Sequence, residues 1–373
     1  MSGAVQLVAT GPQDEWLTGK PEMSYFMTNY RRSTHYANSV ERLVVQGKPI
    51  DGGFSTVKFD KKGDLLSYAY LTFSNPNGST AVNIDWLLPG LPCVIDRIEL
   101  YIGGQLIDTQ DNIFLLAVDN PLECRSFNEG KINNVSGSFL PMRFFFCKDW
   151  SAALPLVALA FHEVEMRIYW NSVSTTISYG FYPQAWANYI YLDQAERDWF
   201  ATNTHNMLIT QTQRTLTSTN FNQDLPFANS VKYISWPAFH YEENYFSRDV
   251  SSYQFKIQIN GVDIGESRHL PHWTSVPLYY NVKWAQPYTI DNILAPMNNG
   301  LGGLVLISFC LDTSSLQPTG TLNFSRIDSF RIVVPTSLNG GIQALQNFGN
   351  YIYAVNYNIL RIQDGMGSLL YGC

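Results

Sequence analysis

The chain has 373 residues, a length suited to two compact domains rather than one. Its 22 Tyr, 22 Phe and 9 Trp, with charged residues at 15% against the ~25% usual in soluble proteins, exclude intrinsic disorder and leave a largely neutral surface fit for contact with sibling chains. A formal net charge of −7 and a pI near 5.4 exclude a phosphate-neutralising surface, so no direct nucleic-acid binding is expected.

The opening residues 1–10 are too short and too weakly apolar for a secretory leader, and no run approaches the ~20 apolar residues of a membrane span. Ser2 stands where myristoylation needs Gly, and Cys373 cannot head a prenylation box, so membrane contact is expected only through partners. Residues 11–32 carry turn signals such as Gly11-Pro12, Thr18-Gly19 and Lys20-Pro21 without periodicity, which reads as an extended arm over 1–32.

From Glu41 onward, β-rich runs at 42–46, 54–59, 65–73, 82–86, 94–102 and 105–108 alternate with turn clusters, among them Gly52-Gly53, Asn75-Pro76-Asn77-Gly78 and Gly103-Gly104. That rhythm predicts an all-β sandwich or barrel. One short helix is expected at 112–118, capped by Asp111 and closed before Pro121. Strands are expected again at 139–146 and 162–170, the latter placing Val164, Met166 and Ile168 on one core face.

Between 191 and 213 the text turns polar and helix-tolerant, which predicts the domain junction there. The expected division is arm 1–32, first sandwich 33–195, linker 196–225 and second sandwich 226–373. The second half repeats the first: 255–261, an alternating run into Asn260-Gly261, echoes 98–104 and its Gly103-Gly104, and 351–360 is expected to occupy the place of 162–170. Two diverged copies of one sandwich explain the echo.

No catalytic signature emerges: there is no GxxxxGK[ST], no strand-following GxGxxG, no GxSxG and no HExxH. Gly300, Gly302 and Gly303 precede a strand, as a turn does and a nucleotide loop does not. His269 and His272 have a ligand-like spacing, yet Pro271 between them is expected to break a helix and no further ligand completes a site, so a surface loop is expected. Glu163 and Glu165 share one strand face, as a glycosidase pair would, but His162 and Arg167 beside them favour a charge-balanced outer face. Five scattered cysteines, Cys93, Cys124, Cys147, Cys310 and Cys373, form no CxxC pair and fit a reduced intracellular setting. Three triplets match the glycosylation acceptor, starting at Asn77, Asn134 and Asn323; the first two fall in turn-rich text as possible glycosylation sites. No cofactor, metal or catalytic residue is expected.

Four stretches resemble the major capsid proteins of nucleocytoplasmic large DNA viruses, the group of phycodnaviruses and iridoviruses. They are the opening Leu7-Val8-Ala9 with Gln13-Asp14, Leu17-Thr18-Gly19-Lys20-Pro21 and Tyr30-Arg31-Arg32; the pair Ile98-Glu99-Leu100 and Ile102-Gly103-Gly104-Gln105-Leu106-Ile107-Asp108; the run from Gln317-Pro318-Thr319-Gly320 through Asn323-Phe324-Ser325-Arg326-Ile327-Asp328; and Tyr353 to Ile362. The resemblance implies a double jelly roll, two consecutive eight-stranded antiparallel sandwiches with short helices in loops. It also implies a homotrimer forming a pseudo-hexagonal capsomer, neighbouring capsomers tiling an icosahedral shell over an inner membrane, minor capsid proteins beneath, and assembly in the host cytoplasm. Within it Gln317, Pro318, Gly320, Asn323, Arg326 and Asp328 are expected to order the base of the second domain, with Arg326 and Asp328 pairing or bonding nearby backbone. The chain is short beside the family's larger members, so its outward loops are expected to be trimmed. Alternatives are a minor capsid paralogue at special shell positions and, in a different class, a β-sandwich glycan-binding or glycan-cleaving protein.

Overall fold

The computed structural model describes residues 7–47, 52–74, 95–119, 122, 139–171, 182–239, 254–283, 302–335 and 350–372. Two compact units divide the chain, residues 1–35 and 36–373. The first holds one turn of helix, α1 (Glu15–Thr18), and its large apolar side chains, Trp16 and Phe26 among them, are exposed.

The second unit is built of strands. Its first half contains β1 (Tyr36–Leu43), β2 (Val45–Gln46), β3 (Phe54–Phe59), β4 (Leu65–Ser74), β5 (Ile95–Ile102), β6 (Gln105–Asp111) and β7 (Phe139–Pro141). Helix α2 (Phe145–Lys148), β8 (Leu154–Pro155), β9 (Val164–Trp170) and β10 (Tyr182–Leu192) complete it. The strands form two antiparallel sheets, β1-β10-β4-β7 and β2-β3-β9-β5-β6, with β8 beside β4. Lettering β1, β3, β4, β5, β6, β7, β9 and β10 as B to I gives B-I-D-G facing C-H-E-F, the jelly-roll order.

Helix α3 (Gln194–Thr202) leads into the second half: β11 (His205–Leu216), β12 (Asn222–Asp224), β13 (Ser230–Phe239), β14 (Gln254–Ile259) and β15 (Val262–His269). Helix α4 (Leu270–Asn281), β16 (Gly302–Ser308), β17 (Leu322–Asn323), β18 (Phe330–Val333), β19 (Tyr351–Gln363) and β20 (Met366–Leu369) follow. Lettering β11, β12, β13, β14, β15, β16, β18 and β19 as B to I returns the same two sheets, β11-β19-β13-β16 and β12-β18-β14-β15. The chain is therefore an all-β double jelly roll with short helices between strands.

Sequence chemistry explains the repeat. Each E–F hairpin turns on two residues with positive φ, Gly103-Gly104 (58° and 80°) and Asn260-Gly261 (50° and 79°), the backbone that a two-residue hairpin matching strand twist demands. In both halves the pairing of strand D with strand I slips at a bulge, between Ala187 and Tyr189 and between Val231 and Tyr233. On β9 burial alternates strictly, so Val164, Met166, Ile168 and Trp170 enter the core of the first barrel, as the periodicity predicts.

Several expectations need correction. Residues 139–146 are not one strand: β7 ends at Pro141, and Phe145–Lys148 coil into α2 with Phe145, Phe146 and Cys147 all buried. An unbroken apolar run fits a buried helix turn as well as a strand. The helix expected at 112–118 is a π-helix over Phe114–Asp119, entered as expected at Asp111, whose Oδ1 accepts the Phe114 N–H at 2.8 Å. Residues 196–225 are not a bare linker, since they hold most of α3, all of β11 and β12. The counterpart of 351–363 is β10, and that of β9 is the short β18, because topology pairs strands I and H in that way. The run expected at 82–86 lies outside the described residues.

Candidate functional site at the seam between the barrels

The motif residues lie in the G–H connection of the second barrel, between β16 and β18. Gln317 and Pro318 are exposed. Gly320 has φ +132°, and a Cβ there would lie 2.8 Å from the Phe309 carbonyl oxygen, so backbone packs where a side chain would be. Asn323 Oδ1 accepts the Ser325 N–H at 3.0 Å and starts one 3-10 turn, which drops Phe324 among Phe227, Phe309 and Phe330. The turn is pinned to two left-handed asparagines. Phe324 N–H donates to the Asn229 carbonyl and Asn229 N–H to Ser325 Oγ, both at 2.9 Å, while Asn260 Oδ1 accepts the N–H groups of Asp328 and Ser329 at 3.0 Å. Arg326 and Asp328 are exposed and form no ion pair with each other; the order around Asp328 comes through its backbone.

A seam of mixed chemistry joins the two barrels. Its apolar part runs from the first core into the second barrel, where Ile209, Leu360 and Ile362 share a buried cluster with Ile102, Leu159 and Val164. A second cluster inserts Phe114, Val118 and Leu122 against Tyr233, Leu304, Leu306, Tyr353 and Val355. Each fully buried side chain of this size is worth roughly 1.5–3 kcal/mol relative to exposure.

The polar part centres on two aspartates of β6. Asp108 Oδ1 accepts the Thr212 N–H at 2.8 Å and its Oδ2 accepts Gln110 Nε2 at 2.7 Å, while Gln211 Nε2 donates to the Ile107 carbonyl at 2.5 Å. Asp111 Oδ2 accepts from Arg214 Nη1 at 2.9 Å and from the Tyr353 hydroxyl at 2.8 Å. Burial dominates both carboxyls, pushing Asp108 up to about 6 and Asp111 upward as well, against the lowering pull of their donors. Burial, then the Asp111 charge, pushes the Tyr353 hydroxyl up, so it stays a donor. Thr313 Oγ1 donates to the Leu122 carbonyl at 3.0 Å, and Gly367 N–H to His162 Nδ1 at 3.1 Å, closing the seam elsewhere. This arrangement holds two barrels as one block, and Asp108, Asp111, Arg214 and Tyr353 are engaged in holding it.

The other candidates from the sequence are surface features. Glu163 pairs with Lys58 at 2.7 Å, which holds its carboxyl below the usual range, and Glu165 pairs with Arg167 at 2.5 Å. Arg167 also stacks over Tyr101, as Arg97 does over Tyr169, at 4.0 and 3.8 Å. This is the charge-balanced outer sheet face that the residues favour. Pro271 does not break a helix but opens α4 in its first turn, where proline costs nothing, with His269 at the N-cap and His272 against Arg268 at 2.8 Å. Among the described residues no group of three or more His, Cys, Asp or Glu is placed to hold a metal. Asn77 and Asn134 lie outside the described residues; Asn323 is exposed, its side chain serving the 3-10 cap.

The local sequence marks Asp111 as a helix cap but gives it, Asp108, Arg214 and Tyr353 no role at a seam. The only signal was two carboxylates in an otherwise core-forming strand, Ile107-Asp108-Thr109-Gln110-Asp111, where buried charge demands partners.

Paired jelly rolls welded along one flank define the double jelly-roll class of fold. Two family models divide the chain between them: the major capsid protein N-terminus over residues 24–193, and the large eukaryotic DNA virus major capsid protein over 196–368. The chain belongs to the major capsid proteins of large eukaryotic DNA viruses. It is 29% identical to the major capsid protein of Pyramimonas orientalis virus, covering 99% of each chain, and 28% identical to that of Paramecium bursaria Chlorella virus 1, again over 99% of each. Its fold matches the solved structure of PBCV-1 VP54, fitted into a reconstruction of the virophage Sputnik, with a TM-score of 0.70 at 25% identity, covering 94% of this chain and 100% of that one.

Proposed function

We propose that this major capsid protein works as a homotrimer, three two-barrel blocks making a pseudo-hexagonal capsomer that tiles an icosahedral shell over an inner membrane. The observation that carries this reading is the seam: a chain whose two like barrels are locked side by side supplies two of six near-equivalent positions, and three chains complete the hexagon. The work done is assembly rather than catalysis. Buried Cys310, a free thiol, fits assembly in a reducing host cytoplasm. The arm, with Trp16, Leu17, Tyr25 and Phe26 exposed, suits capture by minor capsid proteins beneath the shell, which would also mediate any approach to the membrane.

Light scattering on the purified protein tests the reading. A particle three times the 42.3 kDa chain is expected, with hexagonal outlines in negative-stain images. A stable monomer at micromolar concentration would refute it.

A further inference from the structure

A cavity of about 150 Å3 opens at the seam, and both barrels line it. The first barrel supplies Phe145 and Lys148 of α2, which share a helix face at a spacing of three; the second supplies Thr210 of β11 and Lys232 of β13. One water needs roughly 10–15 Å3 of such space, so the cavity has room for a small molecule. Its floor is aromatic, with Phe145 3% and Tyr357 8% exposed. The exposed residues Leu208, Leu316 and Asp149 mark its mouth.

Two ammonium groups, one from each barrel, set the chemistry of this space. Lys232 is buried, and its Nζ donates to the Thr313 carbonyl at 2.5 Å and the Ser315 carbonyl at 3.3 Å, 5.8 Å from the centre of the Tyr357 ring. Carbonyls and a ring face orient an ammonium group and satisfy its N–H bonds without cancelling its charge. Lys148 enters from the other side, its Nζ 3.7 Å from Asp119 Oδ1. That separation exceeds the ~2.7–2.9 Å of a charge-assisted hydrogen bond, so the contact leaves the ammonium room to turn toward a ligand. The carboxylates nearby serve other donors as well. Asp119 also faces Arg143 at 3.5 Å, and Asp312 takes the Ser314 N–H and hydroxyl and pairs with Lys283 at 2.8 Å. Asp149 takes the Ser151 N–H and hydroxyl at 2.9 and 2.8 Å, and Asp108 takes Thr212 and Gln110.

We propose that this cavity binds a phosphate group, held between Lys148 of one barrel and Lys232 of the other with the Thr210 hydroxyl as a further donor, and that the bound group ties the barrels together. A phosphate carries a charge of about −2 and at least three acceptor oxygens, which matches two cations and a hydroxyl better than the single charge of a carboxylate does. The aromatic floor excludes water from one side, and charge attraction is stronger there than at an open surface. The site lies within a single chain and needs no second copy.

Calorimetry on the full chain in phosphate-free buffer, at ionic strength fixed with chloride, provides the test. Added inorganic phosphate should raise the melting midpoint further with each increase above its dissociation constant, because a ligand of the folded chain stabilises it by mass action. Lys148→Met should weaken phosphate binding at least ~10-fold by titration calorimetry and remove most of the shift, and Thr210→Val should weaken it less. Lys232→Met should abolish binding; if that variant fails to fold, Lys148→Met and Thr210→Val carry the test alone. A parent midpoint indifferent to phosphate overturns the proposal, and so does a shift of equal size in the parent and in Lys148→Met, which would put the ion elsewhere on the surface. Phenyl phosphate distinguishes the source. Tighter binding than inorganic phosphate supports the site as one for a small organic phosphate seated on Phe145 and Tyr357, and weaker binding supports it as one for the free ion.

Discussion

Gly320 and Gly104 both sit at positive φ, yet only Gly320 has backbone where a Cβ would go: Phe309 O at 2.8 Å, against nothing within 4 Å of Gly104. Gly320→Ala must therefore move the G–H connection as well as bear the left-handed penalty, for a loss of ~2 kcal/mol or more, while Gly104→Ala should lose about 1 kcal/mol. Denaturant midpoints of the two variants check the order; equal losses would show that the motif's glycine is not set by its close approach. Asp108 gives a residue-level pH dependence whose sign follows from burial. Its carboxyl is raised to about 6 in the folded chain, above its unfolded value, so the folded state binds the proton more tightly. The associated stability is fully present below the unfolded value and is lost as pH rises through about 6, on the order of 1–3 kcal/mol in all. Asp108→Asn should remove that part of the slope of unfolding free energy between pH 4 and pH 7, whatever its effect on absolute stability. Parallel slopes for variant and parent would contradict the assignment.

At the scale of elements, helix α3 is held by its ends rather than by burial. Asp193 Oδ1 accepts the Glu196 N–H at 2.9 Å, Arg197 pairs with Asp64 at 3.0 Å, and no α3 residue is buried. Asp193→Ala should cost the helix about 1 kcal/mol and speed amide exchange in its first turn, with the barrels' exchange unchanged. Exchange that rises across the barrels too would make α3 part of the global unit. The strands differed in how plainly the sequence announced them, for physical reasons. β9 has one wet face, so its alternation is clean. β19 is buried on both faces over most of its length, loses its alternation, and invites comparison with the wrong strand. β11 reads as polar and helix-tolerant because Gln211, Thr212 and Arg214 serve the seam, and their partners on β6 lie about a hundred residues away. The hairpin echo, by contrast, was legible, since Gly103-Gly104 and Asn260-Gly261 encode their turn locally. Part of the site was open to sequence reading in this sense: the motif's Gly320 and Asn323 and the capping side of Asp111 act on near neighbours, whereas Asp108 and the Arg214 and Tyr353 contacts of Asp111 acquire meaning only when the second barrel arrives.

For the molecule as a whole, the seam decides whether two barrels behave as one body. Asp111 is its hub, taking the Phe114 N–H, the Arg214 guanidinium and the Tyr353 hydroxyl, and Phe114 fills the apolar cluster beside it. Removing the carboxylate strands a buried hydroxyl and a half-exposed guanidinium, at a cost of ~2–3 kcal/mol, and truncating Phe114 adds ~3 kcal/mol of cavity and lost burial. Neither change touches the interior of the first barrel's main core or of the second's. The parent should melt in one calorimetric transition because each barrel's unfolding exposes the other's flank. The double variant Asp111→Ala, Phe114→Ala should separate into two transitions, read below the concentration at which copies associate. Tyr353→Phe alone should cost about 1 kcal/mol and leave a single transition. A double variant that still melts as one, with its midpoint merely lowered, would place the coupling in Ile209, Leu360 and Ile362 instead, the apolar half of the seam.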